Sequence, residues 1–474
     1  MMSEILFLLL LMFILFSVKH FKLKSVKTQL NLLVFLYTLY KLLLIVYSKN
    51  ESCAFNVSSF LTFYFDSYRS INILEILAIF FYFIFLLLDQ GNDYVYTDKN
   101  FTIFFYFIVI PISTFLYRTS DMFIYSFFSL LIFLCLVFTY KNKSLNFITI
   151  SVKVSFIIYF AFLISFLVCV DFLGDYNATN VLEISKNITT TSFYGSFFYL
   201  LFFTPLLFSF VFPLNIFLSD FISTMNTKQL SLFVLFLTFP SLVYLDKFLL
   251  VVPAKIINAL FIIVLFSYIT NIILLISPRI KYFKTFLFFT ISNEISFLIL
   301  FEHRFKTFMD TEFLFFYMGL FFAFLYSLSK FDFENDDDLK NSFIKQPTNS
   351  LIFFITSFSF TSLPLSILFL YQYRFLLILY KFEKILFWLY LVALILKSFA
   401  LLRFDLKMLL VEKRSKSHLM NLIKNFNRID FAILITIAIL AIFFYHNYIN
   451  GKEDNFGEYR KLIFKVSTVK LNEK

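Results

Sequence analysis

The sequence predicts an all-α polytopic membrane protein, and three observations carry that prediction. Of its 474 residues 60% are hydrophobic and only 15% are charged, where a soluble domain carries roughly 25%. The apolar residues fall in recurring runs of about 20, the length that spans hydrocarbon as a helix, bounded by charged or Asn-rich stretches. Mean hydropathy is correspondingly high at +0.85.

Fourteen segments are predicted, at about 3–18, 30–47, 71–89, 101–118, 121–140, 148–170, 193–217, 229–249, 253–277, 283–302, 311–329, 350–372, 378–402 and 430–448. The first follows an acidic residue and has its basic flank, Lys19 to Lys27, behind it. It therefore reads as a short helix and not as a cleavable signal or an Arg-rich transit peptide. The eighth and ninth are divided at "YLDKFLLVVPAK". Lys and Arg are more abundant in the loops after odd-numbered segments, which places those loops on the positive-inside face and both termini on the other.

Several function classes are excluded. The net charge of +11 resides in loops flanking apolar segments, where it sets orientation, and forms no nucleic-acid patch. Cys53, Cys135 and Cys169 are too widely spaced for a metal or disulfide framework, and the four histidines are scattered. No Gly-rich phosphate loop and no nucleophilic constellation indicates a self-contained active site. The use of 78 Phe and 28 Tyr beside 6 Gly reverses the small-residue habit of membrane helices. It reflects compositional bias of the kind an AT-rich organelle genome produces.

Two segments are interrupted. Pro213 lies deep in the seventh ("LLFSFVFPLNIFLSD") and Pro364 in the middle of the twelfth ("SFSFTSLPLSILFLYQYRF"). A proline removes a backbone hydrogen bond, which hydrocarbon penalises unless a cavity or neighbour satisfies the freed carbonyl. Broken helices in corresponding halves are a signature of transporters built from repeats.

Four stretches carry a family resemblance. In "SLPLSILFLYQ" (362–372), Pro364, Phe369 and Leu370 match a twelfth-helix motif whose lysine is replaced by Gln372. In the seventh segment Pro213 and Asp220 keep the family separation, with Phe208 on the lysine position, Asn215 on a histidine and Ser219 on a second proline. "KTFLFFTISNEISF" (284–297) matches a third motif, with Glu294 on its histidine position, and "ISVKVSF" (150–156) a fourth. The chain resembles the antiporter-like membrane subunits of respiratory complex I, most closely the subunit 2 type, divergent and of the kind encoded in a protist mitochondrion.

The resemblance implies two inverted five-helix repeats with helices 7 and 12 broken. Residues 1–118 would hold the N-terminal helices and the start of the first repeat, and 101–277 that repeat with helix nine. The second repeat would occupy 278–402, and 403–474 a surface helix, helix 14 and a polar tail. It also implies a mitochondrial inner-membrane location and other complex I membrane-arm subunits as partners. FMN, iron–sulfur clusters and ubiquinone would be held by other chains, with none bound here, and structural lipids such as cardiolipin would fill grooves. An unrelated stand-alone secondary transporter and a structural subunit of another respiratory complex are the alternatives.

In the family, protons are thought to follow a glutamate on helix five and lysines on helices seven, eight and twelve. Those positions fall here at or near Ser129, Phe208, Thr238 and Gln372. Two readings follow: transport is lost and the subunit is a spacer, or the path is rerouted. The triple loss of lysine favours lost or altered transport. Rerouting would use polar groups within the apolar segments: Glu294, Lys397, Lys153, Arg374, with Asp220 and Gln372 as further axis residues. Each has a plainer role available. Glu294 can salt-bridge a neighbouring helix, Lys397 can snorkel, Lys153 can flank its helix, and Arg374 can lie at the interface just past segment twelve. The acidic stretch 330–350 reads as a solvated link, and 402–428 as a basic surface helix attracted to anionic lipid.

Overall fold

The computed structural model describes residues 51–58, 61–67, 116–117, 119, 121–138, 149–160, 163, 203–225, 230, 233–249, 252, 254–276, 283–305, 311–328, 347–363, 366, 368–409, 433–435 and 437–438. The first four predicted segments and the tail from 451 lie outside those residues, apart from 116 and 117. Helix dominates, as the apolar runs require. A two-stranded antiparallel hairpin stands between the second and third predicted segments. Its strands β1 (Glu51–Ser58) and β2 (Leu61–Ser67) pair from Glu51↔Ser67 to Asn56↔Thr62, with an irregularity between Asn56 and Ser58.

The helices are α1 (Met122–Phe138), α2 (149–160), α3 (Phe203–Phe208), α4 (Asn215–Thr224), α5 (Phe239–Leu249), α6 (Ala254–Ile276), α7 (Phe283–Phe305), α8 (Thr311–Leu328), α9 (Pro347–Phe360), α10 (Phe369–Phe382) and α11 (Lys384–Leu409). Among the described residues, three helices are long and apolar enough to cross a membrane: Ala254–Ile276, Thr285–Phe305 and Lys384–Leu406. The chain divides within α6 into two compact units, Met1–Leu260 and Phe261–Lys474.

In the first unit the seventh segment is broken between α3 and α4. The amide of Phe210 donates to the Leu207 carbonyl at 3.1 Å and that of Val211 to Leu206 at 3.1 Å. This is the Schellman closure of a helix C-terminus, which needs a left-handed residue just past the cap, usually glycine. Phe210 fills that place at φ 60°. Pro213 follows and is exposed, preceding the start of α4. Further along, a π-helical turn at Val234–Thr238 leads into α5, and the Tyr117 hydroxyl donates to the Leu235 carbonyl in it at 2.9 Å.

In the second unit the twelfth segment is likewise broken, α9 ending at Phe360 and α10 starting at Phe369. Ser362, two residues past the helix end, again holds the left-handed region at φ 61°. Pro364 lies outside the described residues. Short bonds from the Ser366 amide to the Leu363 carbonyl (2.9 Å) and from Phe369 to Ser366 (3.1 Å) carry the chain across.

Two boundaries differ from the sequence expectation. The second half of the broken segment runs to Phe382, so Arg374 is inside α10 and not past its end, although its side chain lies outside the described residues. α11 continues to Leu409, so residues 403–409 belong to it and not to a surface helix. The charges at Arg403, Asp405 and Lys407 look like a helix end, but Leu401, Phe404 and Asp405 extend the buried stripe of α11 without a break. Residues 410–428 of the expected surface helix lie outside the described residues.

Candidate functional site

α7 is largely enclosed, with 94% of its most apolar stretch buried. Thr290, Ser292, Asn293, Glu294 and Ser296 are all fully buried, and hydrocarbon or protein interior tolerates such groups only when they are bonded. Several satisfy themselves locally: Thr290 donates to the Phe286 carbonyl at 2.7 Å, Asn293 to Phe289 at 2.8 Å and Ser296 to Ser292 at 3.0 Å. Asn293 also accepts from Ser267 of α6 at 3.0 Å. Glu294 is different, because its partners all come from other helices.

Four donated hydrogen bonds converge on its carboxylate. Lys397 Nζ of α11 donates to Oε1 at 2.7 Å and to Oε2 at 2.8 Å. Gln372 Nε2 of α10 donates to Oε1 at 2.8 Å, and the Tyr317 hydroxyl of α8 donates to Oε2 at 2.6 Å. Each oxygen thus accepts two bonds, the full capacity of an ionised carboxylate. The side chains of Lys397 and Glu294 are 1% and 0% exposed. Such a pair lasts in a low-dielectric interior only with this kind of geometry, because desolvation offsets most of the Coulomb attraction.

Aromatic rings enclose the site. Phe297, one turn along α7, stacks on Tyr390 of α11 at 4.9 Å and on Tyr268 of α6 at 6.3 Å. Further along, Phe301 meets Phe375 of α10 edge-on at 4.7 Å. At the end of α7, Arg304 pairs with Glu383, the residue between α10 and α11. Its guanidinium also lies 4.6 Å over the Phe261 ring. This contact pins the turn that returns α11 alongside α10.

Three of the candidates named from sequence therefore meet in one cluster: Glu294, Gln372 and Lys397. Lys397 does not snorkel; it is buried against Glu294. Lys153 on α2 and Asp220 on α4 are exposed on the first unit. The sequence reading missed Tyr317, which carries no motif, and Asp405, buried at 1% exposure.

The corresponding positions of the first unit hold no charge. Phe208 is fully buried and its ring lies 6.0 Å from Phe233. Phe210 (5.9 Å) and Phe221 (6.2 Å) crowd the same ring. Phe133 approaches it edge-on at 6.5 Å. Ser129 donates to its own helix at Tyr125 (2.7 Å), and Thr238 is buried within the π turn. A buried lysine among the described residues of this unit, Lys247 on α5, was missed in the sequence because "YLDK" looks like a link. Its Nζ donates to the Tyr117 carbonyl at 3.0 Å and lies 3.5 Å from that of Thr119.

The helices, two of them broken and one break beside a buried ion pair, define a multi-pass helical membrane fold. Solved structures share that fold. A chain of the membrane-bound sulfane sulfur reductase, an archaeal respiratory membrane complex, is similar with a TM-score of 0.71 and 13% identity, over 98% of this chain and 96% of that one. A chain of respiratory complex I from Thermus thermophilus, with bound aureothin, gives 0.69 and 13% over 92% and 96%. No protein-family model matches the sequence, and no curated protein matches it significantly.

Proposed function

We propose that the chain is an antiporter-like membrane-arm subunit of proton-pumping complex I, of the subunit 2 type, in the mitochondrial inner membrane of a protist. In this reading it holds no redox group; FMN, iron–sulfur clusters and ubiquinone act on other chains, and its partners are other membrane-arm subunits and lipids. The reading combines the shared fold with the four motif stretches. The observation that carries its functional part is the buried Glu294–Lys397 pair beside the break between α9 and α10.

In this reading the lysine missing at Gln372 is replaced by Lys397 on the next helix, which reaches the same carboxylate. Gln372 keeps the geometry by holding Glu294 through its amide, while the ammonium that can exchange a proton stands opposite it. The second unit is then the proton-carrying half. The aromatic cluster around Phe233 makes the first unit a structural half, since phenyl rings neither hold nor relay a proton. The exposed apolar residues of α11, Trp388, Val392, Ile395 and Phe399 among them, suit lipid or a neighbouring subunit.

A native gel of detergent-solubilised mitochondrial membranes, stained for NADH dehydrogenase activity and analysed by mass spectrometry, tests membership. The chain is expected in the active band. Its appearance as a separate species would favour the stand-alone transporter.

A further inference from the structure

α11 carries a second acid on the buried face that holds Lys397. Asp405 lies about 12 Å further along the axis, or two turns, and is 1% exposed. Its Oδ1 accepts from the Ser357 hydroxyl of α9, whereas Oδ2 has no protein partner. α9 contains no charged residue. On α11 itself the near charges are Arg403, which is exposed, and Lys407, whose side chain lies outside the described residues. Asp405 thus has no counter-ion among the described residues. A carboxyl group is tolerated at such depth only with water or as the neutral acid.

Asp405 does not stand alone in this. The pairs Gln372–Glu294–Lys397 and Ser357–Asp405 run in opposite chain order, so α11 is antiparallel to the broken segment. Between the two levels lies the break, where the hydroxyls of Ser362 and Ser366 have no protein partner, nor does Gln372 Oε1. Beyond Asp405, two turns towards the start of α9 and on the face of Ser357, the buried Ser350 hydroxyl is also without one. Buried polar atoms in native proteins are satisfied by protein or by ordered water. Ordered water between these levels would satisfy them.

We propose that Asp405 is a proton-exchange residue linking the Lys397–Glu294 pair to the aqueous side at the start of α9; this rests on the proton-carrying reading above. Once the Lys397 ammonium has passed its proton onward and stands as a neutral amine, neutral Asp405 gives its proton, through bridging water along Ser362 and Ser366, to that amine, which becomes ammonium against Glu294 again. Asp405 is left as carboxylate and regains a proton from water on the Ser350 side. No electron moves and no bond other than those to the proton changes.

A carbodiimide adds to a neutral carboxyl group in apolar surroundings and leaves a stable acylurea. Intact respiratory complex in native membranes is treated with dicyclohexylcarbodiimide over a pH series, and the adduct is mapped by peptide mass spectrometry. An adduct at Asp405 that declines as pH rises, with none at ion-paired Glu294, is expected. No adduct at Asp405 at any pH overturns the proposal. In assembled complex, Asp405→Asn keeps the Ser357 bond and is expected to lower protons translocated per electron by the share this one subunit carries, and Asp405→Glu to retain them. An unchanged ratio in Asp405→Asn, while Lys397→Met combined with Glu294→Gln lowers it, overturns the role of Asp405 alone. An unchanged ratio in that double variant overturns the underlying reading as well.

Discussion

The two helix breaks have nearly the same backbone and opposite contents. In each, a helix ends, and the second residue past its end takes the left-handed conformation, Phe210 at φ 60° and Ser362 at φ 61°. In each, a short irregular stretch leads into a second helix. Around the first, Phe133, Phe208, Phe210 and Phe221 surround Phe233. Beside the second, Lys397, Gln372 and Tyr317 surround Glu294. The break therefore does not require charge. It is a backbone device compatible with either polar or aromatic surroundings, and its chemistry is set by the helices that face it.

The largest effect that sharpens this comparison is expected from Lys397→Met. Removing one partner of a buried pair leaves the other uncompensated and costs about 3–5 kcal/mol, read as loss of the assembled complex on a native gel. Adding Glu294→Gln should restore assembly, because both charges are then gone. In the first unit Phe233→Ala should destabilise by about 3 kcal/mol, the cost of a large cavity. Protons per electron should remain unchanged in whatever complex assembles. A drop in that ratio would mean that the aromatic half participates in transport.

Gln372→Leu removes one of four bonds to Glu294 but keeps both charges. A loss of about 1.5–3 kcal/mol in thermal stability is expected, with protons per electron retained. The smallest effect concerns the caps. Ser362→Gly should stabilise by less than about 1 kcal/mol, because glycine takes the left-handed region without steric cost. Phe210→Gly should destabilise instead, since its ring packs on Phe233. Thermal unfolding of the two variants, compared side by side, checks this opposition of sign.

Segments five, nine, ten and eleven match helices Met122–Phe138, Ala254–Ile276, Phe283–Phe305 and Thr311–Leu328 to within a few residues, because each apolar run has a bilayer length and polar flanks. Pro213 lies in the stretch between α3 and α4, and the gap between α9 and α10 falls in the segment that carries Pro364. What could not be read was which groups meet. Glu294 and Lys397 stand 103 residues apart, and phenylalanine on every face erases the amphipathic stripe that would show which side of each helix is buried. Asp405 was hidden for a related reason. A cluster of charges normally marks a helix end, and Arg403 and Lys407 draw Asp405 into that reading, although Asp405, unlike the exposed Arg403, lies on the stripe of Leu401 and Phe404. Lys247 was hidden by Asp246 beside it, which makes a buried helix look like a link.

The account turns on the Glu294–Lys397 pair as the proton-carrying centre. Its most direct test is the number of protons translocated per electron by assembled complex in which both residues are neutral, Lys397→Met with Glu294→Gln, against the unmodified complex in the same vesicles. The account predicts a lower ratio at unchanged electron-transfer competence. An unchanged ratio would contradict it and leave this chain a spacer in both halves.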